Sequence, residues 1–144
     1  MTAETIFQIS NIIALLGWLV LIVIPIRFQP DKFIVGIIVT LLCLTYAWLV
    51  AFYFSVDDLK KFGSLDGVMN LFTRPEIVVA GWVHYLAFDL MTGVFIRRNA
   101  IKHGIKHGLI ILPLFFTFML GPIGLLLYLA IRVTVSKKYF ADNS

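Results

Sequence analysis

The stretch IVVAGWVHYLAFDLMTGVFI, residues 77–96, decides the fold of this chain. Its 20 residues are almost all apolar, and about 20 apolar residues let an α-helix cross a hydrocarbon core roughly 30 Å thick. The stretch also contains His84, Tyr85 and Asp89. It therefore predicts a membrane-spanning helix that carries ionisable groups at bilayer depth.

Three further apolar runs surround this one, at residues 5–26, 33–56 and 108–131, with short polar segments between them. Of the 144 residues, 60% are hydrophobic and only 14% are charged, which is typical of an integral membrane protein. The sequence predicts an all-α integral membrane four-helix bundle, with a single transmembrane domain over residues 1–144 and up-down-up-down connectivity.

The chain ends and loops carry further signals. The N-terminus has Glu4 and no early Lys or Arg, so the first run is expected to be retained rather than cleaved as a signal peptide. In the second loop, Ser64 is placed to cap a short interfacial helix that ends before Pro75, which then begins the third span. The lone Cys43 has no disulfide or metal partner in the sequence and is expected to be a small buried packing residue.

The net charge of +4 comes from basic residues at the helix ends. Such residues anchor to lipid headgroups, and they indicate no binding of nucleic acid. For a chain with four spans the positive-inside count ties. One face has Lys60, Lys61, Arg74, Arg132, Lys137 and Lys138, and the other has Arg27, Lys32, Arg97, Arg98, Lys102 and Lys106. The flanks of the first span and the dense third loop favour both termini outside.

A helical wheel divides the third span into two halves. The half predicted to face protein carries His84, Phe88, Gly81, Thr92, Tyr85, Asp89, Trp82 and Gly93. The half predicted to face lipid carries Leu86, Val79, Leu90, Val83, Val94, Ala87, Ala80 and Met91. His84 and Asp89 lie about 140° apart on the wheel, and they are predicted to flank one cavity with Tyr85 between them.

These polar residues are candidates for catalysis. An ionisable group at bilayer depth costs on the order of 3 kcal/mol to insert, so function is its default explanation. His84 suits a proton donor or acceptor, Asp89 suits a general base, and Tyr85 suits a hydrogen-bond donor to an oxygen. In the structural alternative, Asp89 bonds a neighbouring side chain and His84 bonds a backbone carbonyl. The sequence leaves both interpretations open.

Polar and small residues on the other spans mark the predicted walls of a ligand pocket. In the fourth span one face carries Thr117, Gly121, Gly124, Tyr128 and Arg132. Pro113 and the Gly121–Pro122 pair are expected to kink or open that helix. In the first span Asn11, Trp18 and Pro25 share a face that is expected to point inward. The predicted pocket comprises Asn11, Trp18, Gly81, Trp82, Phe88, Thr92, Thr117, Gly121, Tyr128 and Arg132. In the second span, a packing seam is expected from the stripe of Gly36, Thr40, Cys43 and Ala47.

The sequence lacks the residues that several other kinds of functional site require. No Asp-rich motif of a magnesium-dependent phosphotransferase occurs, and a bis-histidine haem site would need a second deep histidine beside His84. His103 and His107 form an i,i+4 pair in a basic loop, without an obvious third metal ligand. No metal and no cofactor are therefore predicted. An oligomeric transporter is disfavoured because the sequence has no inverted repeat.

The sequence resembles the abscisic-acid-deficient-four-like family of small four-helix membrane proteins through nearly the whole chain. The residues that carry the resemblance are Arg74–Pro75, Gly81–Trp82, the core HYLAFDL at 84–90, Pro113, Gly121–Pro122, Gly124–Leu126, Tyr128 and Arg132. Plant members are associated with the synthesis of neoxanthin from violaxanthin. The resemblance implies an isomerase-like opening of an epoxide in an oxygenated carotenoid, with the acid and base roles divided among His84, Tyr85 and Asp89.

The sequence starts at its first span without the pattern of a plastid transit peptide, so a prokaryotic member is expected, whose substrate need not be violaxanthin. The leading hypothesis is a multi-pass protein of the bacterial inner membrane that acts on a carotenoid-like apolar ligand. The rival is a non-catalytic module that binds a pigment or supports a partner membrane enzyme. Membrane lipid is an expected partner, and a homo-oligomer stays open.

Overall fold

A computed structural model describes the chain at residues 1–25, 28 and 30–137. The helices in this part are α1 Ala3–Val23, α2 Asp31–Tyr53, α3 Asp58–Lys61, α4 Leu65–Leu71, α5 Pro75–Lys102, α6 His107–Leu120 and α7 Pro122–Ser136. Three of them, α1, α2 and α5, are long and apolar enough to cross a membrane. The all-α prediction is confirmed, and the long helices fit the predicted membrane protein. The expected end of the first span at Ile26, and the basic residues Arg27 and Lys138, lie outside the described residues.

The second loop folds as its sequence predicts. The hydroxyl of Ser64 accepts a hydrogen bond from the backbone N–H of Gly67 at 3.1 Å, and this bond caps α4. Helix α5 begins at Pro75, whose fixed φ suits the first turn of a helix, and Glu76 follows in that turn. The short helix and the start of the third span are both confirmed.

Helix α5 is the centre of the fold and packs against α1, α2, α6 and α7. It runs antiparallel to α1, because Trp82 near its start bonds Asn11 and Arg97 near its end bonds the carbonyls of Leu21 and Ile24. The two helices approach closely at a glycine, since a Cβ on Gly17 would lie 2.8 Å from a methyl group of Leu90.

The predicted fourth span is not one crossing helix. Gly121, with φ 48° and ψ −98°, separates α6 from α7 in a conformation that favours glycine. Gly124 then packs on α6 so closely that a Cβ there would lie within 3 Å of atoms of both Pro113 and Thr117. In a continuous helix, residues 113 and 124 would be about 16 Å apart along the axis. Residues 107–136 therefore fold back on themselves as a helical hairpin, so the simple up-down-up-down four-helix bundle is corrected here.

The wheel prediction for α5 is wrong for the half predicted to face lipid and only partly right for the other half, where Gly93 is buried. The half predicted to face lipid is buried except for Met91, and it comprises Val79, Ala80, Val83, Leu86, Ala87, Leu90 and Val94. Of the half predicted to face protein, Phe88 is 62% exposed, and His84 and Trp82 are also exposed. Lipid is as apolar as a protein interior, so hydropathy does not indicate which of the apolar residues of a membrane helix are buried. The aliphatic face of α5 is buried because it packs against α1, α2 and the hairpin.

The small-residue seam of α2 is also corrected. Gly36, Thr40, Cys43 and Ala47 are all exposed, and α2 packs instead through Ile34, Ile38, Leu42 and Leu49. The reason is a π-helical stretch at Ile34–Val39, where each turn takes an extra residue and shifts the helical phase. A regular wheel drawn across residues 36–47 therefore joins positions that do not share a buried face. Pro25, expected to point inward from α1, is exposed as well.

Candidate functional site

A groove between α2, α4 and α5 has His84 as the only acidic or basic side chain among its described lining residues. We call it the His84 groove. Its lining residues are Tyr46, Val50, Phe54, Phe62, Leu71, Phe72, Ile77, Ala80, Gly81 and His84. The volume is 340 Å³, within the range of about 300–1,000 Å³ found for small-molecule sites. Apolar and aromatic walls around one imidazole suit an apolar ligand with a polar end.

The imidazole of His84 is held by ring contacts. It stacks on Phe88 with 4.6 Å between ring centroids, and it lies 5.4 Å from the ring of Tyr46. No hydrogen bond to His84 occurs within the described part of the chain, so the structural alternative, a bond to a backbone carbonyl, is not seen. Because the ring is exposed and positioned by stacking, both of its nitrogens remain free to bond a ligand oxygen.

The floor of the groove depends on the second loop. Asp58 is buried and forms ion pairs with Arg74 at 2.8 Å and with Lys61 at 2.9 Å. It also accepts a hydrogen bond from the backbone N–H of Ser55 at 3.0 Å. The Ser55 N–H, followed by the Arg74 and Lys61 cations, lowers the pKa of Asp58 well below its ordinary value. These bonds hold the loop that carries Phe62 and Phe72 over the groove.

Gly81 lets the loop close onto α5. A Cβ on Gly81 would lie 2.9 Å from the ring of Phe72, so the ring sits against the bare backbone of α5. Leu71, at the end of α4, is fully buried beside it. The sequence therefore places a glycine where the aromatic wall of the groove meets the helix that carries His84.

Asp89 lies in different surroundings, at the tip of the hairpin. A Cβ on Gly121 would be 2.8 Å from Oδ1 of Asp89, so the carboxylate rests directly on the turn between α6 and α7. Tyr85, one turn earlier on α5, interacts with the same carboxylate. Oδ2 of Asp89 is buried and has no hydrogen-bond partner among the described residues. The start of α7 next to it supplies the positive end of a helix dipole.

The single cavity predicted between His84 and Asp89 is not seen among the described lining residues of the His84 groove. His84 lines the groove between α2 and α5, and Asp89 is not among the lining residues. Tyr85 stays with Asp89, and its ring lies 5.4 Å from that of Trp82. The structure brings Tyr85 and Asp89 together, and neither is among the described lining residues of the His84 groove.

The pocket residues predicted on α1 and α5 fall in several places. Asn11 has the partner that a lone amide in lipid requires, because Trp82 Nε1 donates to its Oδ1 at 2.9 Å. Trp18 is buried as predicted, with 5.6 Å between its ring and that of Phe118. Thr92 donates its hydroxyl to the carbonyl of Phe88 within its own helix. Asn11, Trp82, Trp18 and Thr92 do not line the His84 groove, whereas Gly81, also predicted for the pocket, does.

The five residues of the stripe predicted on the last span are all buried: Thr117, Gly121, Gly124, Tyr128 and Arg132. They do not share one face of one helix, because Thr117 lies on α6 and Gly124, Tyr128 and Arg132 lie on α7 beyond the break at Gly121. Tyr128 and Arg132 dock the hairpin on α5. The hydroxyl of Tyr128 donates to Oδ1 of Asn99 at 2.6 Å, and Arg132 donates to the same oxygen at 3.2 Å.

Sequence reasoning missed several residues of these sites. Tyr46, Phe62 and Phe72 line the groove but are not among the predicted pocket residues. Arg97 was counted as a charge at the membrane edge, yet it is 1% exposed. It donates to the carbonyls of Leu21, Ile24, Pro25 and Phe28 at 2.7, 2.6, 3.4 and 2.8 Å, where α1 ends. A signal was present, because Arg97 follows Val83 and Leu90 at seven-residue spacing on the buried face.

The histidine pair of the third loop has no third metal ligand among the described residues. Nε2 of His107 lies 3.0 Å from the carbonyl oxygen of Ile22. Within residues 1–25, 28 and 30–137, no group of three His, Cys, Asp or Glu side chains is arranged to hold a metal ion.

A family model described as ABA DEFICIENT 4-like matches residues 5–128. The match covers most of the chain, from the first turn of α1 to the middle of α7. A comparison with curated proteins finds no match, and neither does a comparison with solved structures.

Proposed function

Because this chain belongs to the ABA DEFICIENT 4-like family, we propose that it acts on a carotenoid or a related isoprenoid inside a membrane. The proposed setting is the bacterial inner membrane, which the chain crosses several times. The proposed reaction is the epoxide-opening isomerisation that the family resemblance implies. The observation that carries the proposal is the His84 groove, with its aromatic walls and single imidazole.

The shape of the groove suits one end of a long apolar molecule. Its 340 Å³ would take an end group, and its opening on the surface of the helices would let the remaining chain lie along them in lipid. Tyr46, Phe72 and Phe88 offer ring faces to such a ligand, and His84 offers a hydrogen-bonding nitrogen. Oxygen on the end group would then give the ligand its orientation.

The proposed reaction conserves atoms and oxidation state. A proton is given to the epoxide oxygen, the carbon–oxygen bond breaks, and a proton leaves a neighbouring carbon, so the product is an isomer. We assign His84 to proton exchange with the ligand. Asp89 and Tyr85 would complete the set for a ligand that lies across α5 past Phe88, with Asp89 as the base.

Pigment analysis tests this proposal. Carotenoid-producing cells would express the wild type, His84→Asn, Asp89→Asn and the control Asp66→Asn, which changes an exposed carboxylate on α4. We expect a new isomer of unchanged mass with the wild type and the control, and none with the other two variants. Product that persists in both His84→Asn and Asp89→Asn, each expressed at the wild-type level, would refute the assignment.

A second candidate function is pigment binding without chemistry. It is favoured by the separation of His84 from Asp89, because the groove alone holds one proton-transferring group. In that case the pigment profile would stay unchanged while pigment co-purifies with the protein. Gly81→Ala would then reduce the bound pigment, because its Cβ displaces the Phe72 ring from the groove wall. Gly36→Ala, with no atom within 4 Å of its Cβ, is the matched control.

A further inference from the structure

The two helices of the hairpin are too short to cross a membrane singly. Helix α6 has 14 residues and α7 has 15, which correspond to about 21 and 22 Å. A hydrocarbon core is about 30 Å thick. Since the pair folds back at Gly121, the question is where the tip and the two ends lie relative to α5.

Contacts with α5 locate the tip of the hairpin and its two ends. The tip, Gly121, rests on Asp89, which lies at the middle of the 28-residue helix α5. The far end of α7 returns to the C-terminal end of α5, because Tyr128 and Arg132 both bond Asn99. Helix α6 starts at that same end, directly after α5. The hairpin thus enters and leaves on one side and turns at mid-membrane depth.

We propose that residues 107–136 form a re-entrant hairpin, so that the chain crosses the membrane three times and its termini lie on opposite faces. The buried turn agrees with this, because non-helical backbone at membrane depth is tolerated where protein covers it, and Gly121 is buried. Four crossings would instead put Arg132 at the opposite face from Asn99, about 30 Å away, and their hydrogen bond excludes that.

With three crossings, the two faces of the membrane no longer carry equal numbers of basic residues. Among the described residues, the face at the C-terminal end of α5 has seven Lys and Arg and one acidic residue. They are Lys32, Arg97, Arg98, Lys102, Lys106, Arg132 and Lys137, with Asp31. The other face has three basic and five acidic residues: Lys60, Lys61, Arg74, Glu4, Asp57, Asp58, Asp66 and Glu76. Basic residues beside membrane spans stay in the cytoplasm, so we assign the first face to the cytoplasm. The N-terminus is then outside and the end of α7 inside, which replaces the earlier orientation with both termini outside.

The orientation also determines which leaflet the His84 groove faces. This step rests on the proposed function. His84 lies in the N-terminal half of α5, and the loop over the groove belongs to the non-cytoplasmic face. The groove therefore opens towards the outer leaflet. Its ligand would enter from that leaflet with its polar end near the outer surface.

Cysteine labelling tests the topology without any pigment, so its failure and the failure of the proposed function are separate results. Cys43→Ser removes the native thiol. Single cysteines are then placed at three exposed positions, Asp66, Lys106 and Val135, and treated with a membrane-impermeant maleimide in intact and permeabilised cells. We expect Asp66→Cys to react in intact cells, and Lys106→Cys and Val135→Cys to react only after permeabilisation.

The other outcomes are equally informative. If Val135→Cys reacts together with Asp66→Cys and apart from Lys106→Cys, the chain crosses a fourth time and the hairpin is refuted. If Lys106→Cys and Val135→Cys react from outside and Asp66→Cys does not, the hairpin stands and the orientation is refuted. A reporter fused after residue 137, read by its compartment-specific activity, checks the result on a chain with no engineered cysteine.

Discussion

Gly124→Ala is the substitution that most directly tests the hairpin. A Cβ at this position would lie within 3 Å of the backbone nitrogen of Thr117 and the carbonyl oxygen of Pro113. These are backbone atoms of a packed helix, so they cannot rotate away, and α6 and α7 must separate instead. Overpacking of this kind costs about 1–3 kcal/mol. The expected fall in melting temperature is roughly 4–12 °C, at about 4 °C per kcal/mol for a chain of this size.

The sign of the effect separates the two possible folds. In an uninterrupted fourth span, replacing a helical glycine by alanine would stabilise the protein by up to about 1 kcal/mol. Gly36→Ala, in α2, has open space around its Cβ and provides that reference. Both variants would be purified in the same detergent and followed by thermal unfolding. A Gly124→Ala protein that melts at or above the temperature of Gly36→Ala would refute the packing described here.

Three further predictions concern single polar contacts. Asn99→Leu leaves the buried hydroxyl of Tyr128 without its acceptor, and we expect a loss on the order of 1–3 kcal/mol, seen as a lower melting temperature; an unchanged value would show that the hairpin docks without this bond. Trp82→Phe removes the donor to Asn11 and should cost about 0.6 kcal/mol; the cost should vanish in an Asn11→Leu background, and equal costs in both backgrounds would contradict the pairing. The pKa of Asp58 is lowered in the folded chain, so its contribution to stability is present above the unfolded pKa of about 4 and is lost as the pH falls below it. Melting measured between pH 7 and pH 3 should therefore decline less for Asp58→Asn than for the wild type, and parallel curves would contradict this.

The sequence predicted the helices better than their faces. The α4 cap at Ser64 and the start of α5 at Pro75 depend on local rules of backbone geometry, and both were found as expected. The kink expected at Gly121 is a full reversal of the chain. The faces of α2 and α5 depend on which neighbour each helix meets. Where nearly every residue is apolar, hydropathy does not supply that information.

In the candidate site, too, the needs of single residues were predictable and the contacts between helices were not. Asn11 needed a partner on chemical grounds, and the fold supplied Trp82. The separation of His84 from Asp89 could not be predicted, because it depends on which neighbour packs on each side of α5. Tyr46 joins His84 from another helix. A helical wheel does not include contacts with other helices, so these contacts are seen only in the packed structure.

The bonds made by Arg97 also constrain the order in which the protein can be assembled. The last carbonyls of α1 gain their donor from a residue synthesised more than 70 positions later, as the 76-residue separation from Leu21 shows. Until α5 is inserted, that end of α1 must therefore be kept in contact with water or the insertion machinery. A lysine could not serve the same end, because its ammonium is a compact point charge and lacks the planar fork that here reaches four carbonyls. In a chain whose synthesis is arrested before residue 97, a protease should thus cleave the end of α1. In a chain that includes α5, the end of α1 should be protected.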